Sequence, residues 1–145
     1  MGLFSTNAPL LSDLSLLLQI LVFFLLVLGI YAKMKHRHER HAAIMGMVLA
    51  MHTVSIMAIM VPSLLSMGGL LENLLTRFAL VAIAHAIMGS AVELLWIWLL
   101  GAWLSNTRDI NACFGRKNIM RVTIALWAVE LILGVYVYIM LYLPT

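Results

Sequence analysis

Four long apolar runs, each about the length needed to cross a bilayer and each closed off by charges or turn residues, decide what this chain of 145 residues can fold into. A hydrocarbon core roughly 30 Å thick requires about 20 residues at 1.5 Å rise per residue. The first run extends from about Leu10 to Ala32, with Asn7 as a cap and Pro9 in the first turn, where a missing N–H costs nothing. The second covers about Ala42 to Leu65, with Pro62 near its end and the breakers Gly68-Gly69 just beyond. The third runs from about Leu74 to Leu104 and the fourth from about Ile119 to Leu143. The rest of the composition agrees: 64% of residues are hydrophobic and 10% are charged, against about 25% charged in an average globular domain. Too few polar residues remain to cover a water-facing surface, so lipid is the expected solvent. Disorder is excluded by the scarcity of charge, and a disulfide framework by the lone Cys113.

Charge placement sets the expected direction. The first two runs are joined by Lys33-Met34-Lys35-His36-Arg37-His38-Glu39-Arg40-His41, and the last two by a segment holding Arg108, Arg116, Lys117 and Arg121. Lys and Arg are retained on the cytoplasmic side, so both linkers are expected inside and both termini outside. Trp96, Trp98, Trp103 and Tyr31 then fall near the inner interface and Tyr136, Tyr138 and Tyr142 near the outer one, as aromatic belts. The basic net charge of +3 therefore reflects topology, and no nucleic-acid partner is expected. The first run is too long for a secretory signal, and its basic residues follow rather than precede it, so it reads as a retained helix. The expected fold is all-α, a single polytopic membrane domain built as an antiparallel four-helix bundle with the lipid bilayer as its main partner.

Ionisable side chains inside a span are costly and normally face the bundle interior. His52, His85, Glu93 and Glu130 are of this kind, and His41 stands at the mouth of the second span. His52 lies 11 residues beyond His41, and His85 lies 11 residues beyond Leu74, so each is expected about 16 Å deep. Glu130, 11 residues above Ile119, falls in the same layer. His41 and His52 share one face of the second helix with Met45, Val48 and Ser55. Glu93, 8 residues past His85, is expected about 12 Å nearer the cytoplasm, pairing with His41.

Several chemistries fit this set. Imidazoles from His52 and His85 could ligate a haem b iron from both sides, with His41 as a further candidate and Gly89, Ser90 and Ala91 leaving room for the macrocycle. His52, His85 and Glu130 form a ligand set for an iron ion, and His with Met45 or its neighbours one for copper. Titratable groups along the bundle axis also suit a proton or ion pathway. Against these stand plainer roles: Met as flexible packing, and Glu93 and Glu130 as interhelical hydrogen-bonding groups.

From about Lys35 to Tyr142 the chain resembles a family of small four-span bacterial and archaeal membrane proteins that includes CtaM, a maturation factor for haem-copper terminal oxidases. The matching residues are His41 with Met45, His85 followed by small residues, Trp127, Gly134-Val135-Tyr136-Val137-Tyr138 and Leu141-Tyr142. Family members usually carry a further His near the start of the last span, where this chain has Lys117-Asn118, and His52 and Glu130 stand outside the family motif. The resemblance implies a multi-pass cell-membrane protein of the respiratory chain, more accessory than enzymatic. Its implied role is to assist assembly or cofactor insertion of an oxidase, with oxidase subunits, haem or a second copy of itself as partners. A small electron carrier with haem or metal on His52 and His85 is the first alternative, and the proton or ion pathway is the second.

Overall fold

The computed structural model describes residues 8–66, 76–105 and 115–143. Four helices in it are long and apolar enough to cross a membrane: α1 (Leu10–Met34), α2 (His38–Ser66), α3 (Arg77–Ser105) and α4 (Lys117–Tyr142). Their bounds follow the four apolar runs closely. The expected features at Asn7, Gly68, Gly69, Leu74, Arg108 and Cys113 lie outside the described residues.

Pro9 is the N-cap of α1, one position before the first turn, and its carbonyl accepts the amides of Ser12 and Asp13. The other end of α1 closes in a Schellman motif. The His36 amide donates to Lys33 O and the Arg37 amide to Ala32 O, each at 3.0 Å. His36 itself has φ 56°, the left-handed region where Gly or Asn is usual. This tight turn lets α2 start inside the basic linker, at His38 rather than Ala42. Near its far end α2 widens into a π-helical turn over Ile56–Met60. Pro62 accounts for it, because it cannot donate to the Ala58 carbonyl and its ring crowds that turn.

Packing is pairwise and antiparallel. α1 lies along α2 and α3 along α4; the pairs meet along α2 and α3, and α1 touches α4 more lightly. Each helix turns a narrow stripe inward, such as Gln19, Val22, Leu26 and Gly29 on α1 or Gly89, Val92 and Trp96 on α3, at the spacing of one helical face. Only 11% to 22% of each span's apolar window is buried inside the chain. Large apolar side chains such as Ile87, Leu94 and Ile132 are about two-thirds exposed, an outward surface suited to lipid.

The interior divides into two layers. Toward the basic linkers, Val22, Leu26, Val48, Leu49, Val92, Trp96 and Trp127 form one apolar cluster. Toward the chain termini the buried residues are mostly polar: Asp13, Gln19, His52, Ser55 and Glu130. Trp96 corrects an expectation here. It is only 6% exposed and packs edge-on against His52 at 5.4 Å and beside Trp127 at 6.5 Å, so it belongs to the core and not to an interfacial belt. Trp98 and Tyr31 keep exposed positions, each with a cation over its ring, Arg116 and Lys35 respectively.

Candidate functional site: a buried acid–imidazole array

His52 is fully buried, with a carboxylate beside each ring nitrogen. Its Nδ1 lies 2.8 Å from Glu93 Oε2, and its Nε2 lies 3.5 Å from Glu130 Oε2. The Thr53 hydroxyl, next in sequence, donates to Glu93 Oε1 and to the Leu49 carbonyl. On the far side of Glu130 stands His85, whose Nδ1–H donates to the Glu130 carbonyl at 3.1 Å and lies 4.0 Å from its Oε1. The order is therefore Glu93, His52, Glu130, His85, drawn from three helices.

Small residues make this possible at two points. A Cβ on Gly134 would lie 2.9 Å from His85 Cε1, so the imidazole can lie against α4 only because Gly134 has no side chain. A Cβ on Gly89 would lie 3.3 Å from Glu130 Oε1. The space at Gly89 is thus taken by a carboxylate rather than left open for a macrocycle. The His52 and His85 rings do not face each other across a gap; Glu130 stands between them.

The structure places Glu130 beside both His52 and His85 and adds Glu93 to them, but the two histidines do not share the level expected of them. The expected His41–Glu93 pair is not formed. His41 Nδ1–H instead donates to the Gly29 carbonyl at 2.8 Å, and Met45 packs over Gly29. Helix ends explain the difference. Counted from the basic end of each helix, His52 is 14 residues above His38, Glu93 is 12 below Ser105, and Glu130 is 13 above Lys117. These three share a level, and His85, 20 residues from Ser105, lies about 12 Å farther toward the termini. No group of three or more His, Cys, Asp or Glu among the described residues has the arrangement of a metal site.

Polar contacts continue toward the termini. Gln19 Nε2 donates to Ser55 Oγ at 3.5 Å, and Ser15 Oγ lies 3.5 Å from the same hydroxyl. Tyr138 donates to Asp13, and Ser12 and Tyr142 share a hydrogen bond of 3.0 Å. Thr53, Tyr138 and Tyr142 were not singled out from the sequence as partners of these groups. Ser12, Ser15 and Gln19 lie at i, i+3 and i+7, on one face of α1, and that face meets other helices.

Two cavities flank the apolar cluster. One, of about 240 Å³, opens between the helix pairs on the side of the termini and reaches Gln19, His85 and Glu130. The other, of about 380 Å³, lies on the basic side and is lined by Lys33, His38, His41, Met45, Trp103 and Arg121 among others. Five buried side-chain atoms lack a hydrogen-bond partner among the described residues: both carboxylate oxygens of Glu130, Oε1 of Gln19, Nε2 of His52 and Nε1 of Trp127. Compared with protein-family models, curated proteins and solved structures, the chain matches none.

Proposed function

We propose that this chain handles protons within the membrane, with Glu130 exchanging protons with the cavity on the side of the termini and His52 relaying them to Glu93. The observation that supports this most is the placement of His52 between two carboxylates, one of which lines a cavity. An imidazole can receive a proton on one nitrogen and give one up from the other. A titratable chain deep in a span is the usual form of a proton relay. By the placement of Lys and Arg, the cavity reaching Glu130 faces outward. The apolar cluster from Val22 to Trp127 separates the array from the basic cavity, so complete transfer across the membrane requires that layer to open.

The test is proton flux into liposomes holding the purified chain, under an imposed pH gradient with a potassium shunt. Wild type is expected to exceed protein-free liposomes, and Glu130→Gln and His52→Ala to fall to the protein-free rate. Wild-type flux equal to that of empty liposomes, or unchanged in both variants, overturns the reading.

A second reading follows from the residue pattern: an accessory protein of the respiratory chain in a bacterial or archaeal cell membrane, assisting assembly or cofactor insertion of a haem-copper oxidase. What favours it is that His41 and Met45, two residues carrying the resemblance, line the basic cavity together with Lys33 and Arg121. An apolar cavity with Lys33 and Arg121 among its lining residues suits an amphiphile bearing acidic groups, such as haem. Deleting the gene and measuring oxidase activity and haem content tests it, and an unaffected oxidase removes it.

A further inference from the structure

We infer that the cavity on the side of the termini binds a hydrophobic organic cation, a single-ring or short-chain ammonium, and that the cation displaces a proton from Glu130. The inference rests on the proton-exchanging role proposed for that residue. The cavity walls are predominantly apolar and include the rings of Phe78, Tyr138 and Tyr142, surfaces that favour an organic cation over a hydrated one. Its polar lining combines hydroxyls, among them Ser15 and Tyr138, with the deeper acceptors of Glu130 and Gln19. Glu130 offers two carboxylate oxygens and Gln19 one amide oxygen, all buried and without hydrogen-bond partners among the described residues. His85 donates through Nδ1 to the Glu130 carbonyl, which leaves Nε2 as an acceptor when the ring is neutral. No Lys or Arg is among the residues that line the cavity.

Buried acceptors without donors are costly, and they can be satisfied by a proton on Glu130, by a proton on His52 Nε2, which faces Glu130 Oε2 at 3.5 Å, or by a positive charge from the cavity. These compete for one carboxylate. The step is Glu130–COOH plus the cation giving the Glu130 carboxylate paired with the cation and one proton released to water. Among the described residues Glu130 is the one carboxylate lining the cavity, and no group of three or more His, Cys, Asp or Glu is arranged to hold a bare metal ion. The size also discriminates, since about 240 Å³ is below the roughly 300–1,000 Å³ of sites for drug-sized ligands. The wide π-turn of α2 contributes to this wall through Ile56, Ile59 and Met60, and such turns recur at functional sites.

The experiment is calorimetric titration of the purified full chain in detergent with benzyltrimethylammonium, repeated across pH, with proton release followed by an indicator in weak buffer. Expected are proton release on cation binding and an affinity that rises with pH, as competition between the two requires. Glu130→Gln should weaken binding by roughly 30-fold or more, Glu130→Asp should keep binding with its proton release, and Met120→Leu in the opposite cavity should change neither. Binding that is pH-independent, or equal in Glu130→Gln, marks a site for neutral amphiphiles and overturns the inference. Absence of binding in wild type that still conducts protons in liposomes overturns it while leaving the proton-handling reading intact. Loss of flux alone, with pH-coupled cation binding retained, removes relay through the array but supports the exchange at Glu130.

Discussion

The two halves of the bundle share the same four helices and the same surrounding lipid, but they fill their interiors differently. Toward the basic linkers the helices interlock through Val, Leu and Trp. Toward the termini they meet through Asp13–Tyr138, Ser12–Tyr142, Gln19–Ser55 and the acid–imidazole array. Lipid tails are as apolar as the first set, so helices there gain from close packing more than from escaping their solvent. The second set is specific, because a polar group in lipid needs a particular partner at a particular height. The apolar half therefore holds the helices together, and the polar half fixes their register.

Substitutions in each half can break this contrast. The largest effect is expected from His52→Ala, which leaves Glu93 and Glu130 in one site with no imidazole between them. Loss of one partner of a buried charged group costs roughly 3 kcal/mol, read as a lower unfolding midpoint in detergent. Gly134→Ala follows. Its new methyl must displace the His85 ring, an overpacking cost of about 1–3 kcal/mol, and proton flux should fall with stability because His85 loses its place beside Glu130. Val48→Ala, fully buried in the apolar layer, removes two methyl groups and should cost about 2 kcal/mol without altering proton flux. If Val48→Ala abolishes flux as well, the two halves do not divide the work as described. The smallest effect is a gain: His36→Gly relieves the left-handed backbone at the α1–α2 turn and should stabilise by about 1 kcal/mol, with function unchanged.

The spans were legible because crossing a bilayer imposes a length, and the basic linkers stand out against so apolar a chain. His52, His85, Glu93 and Glu130 were legible because an ionisable group in lipid needs a reason to be there. Their pairing was less so, because it depends on where each helix is taken to begin. Counting inward from Leu74 set His85 level with His52; counting back from Ser105 sets Glu93 there instead. Trp96 shows the same limit sideways. An aromatic near a helix end suggests an interface, but Trp96 follows Glu93 by three residues and so shares its face. The clue was present, and it needed the correct level of Glu93 to be read. The hydroxyls of Thr53, Tyr138 and Tyr142 gave no warning, because a single Thr or Tyr in a span is ordinary until its partner is known.

The pairwise packing of α1 with α2 and α3 with α4 bears on how the protein is made. Each hairpin can enter the bilayer as its own unit, but His52 is carried by one and Glu93 and Glu130 by the other. Until the hairpins join, each exposes polar groups to hydrocarbon, a costly state that favours their association. The array is therefore complete only when the two hairpins have come together, so its pairing reports on the joining of the halves and not on either one alone.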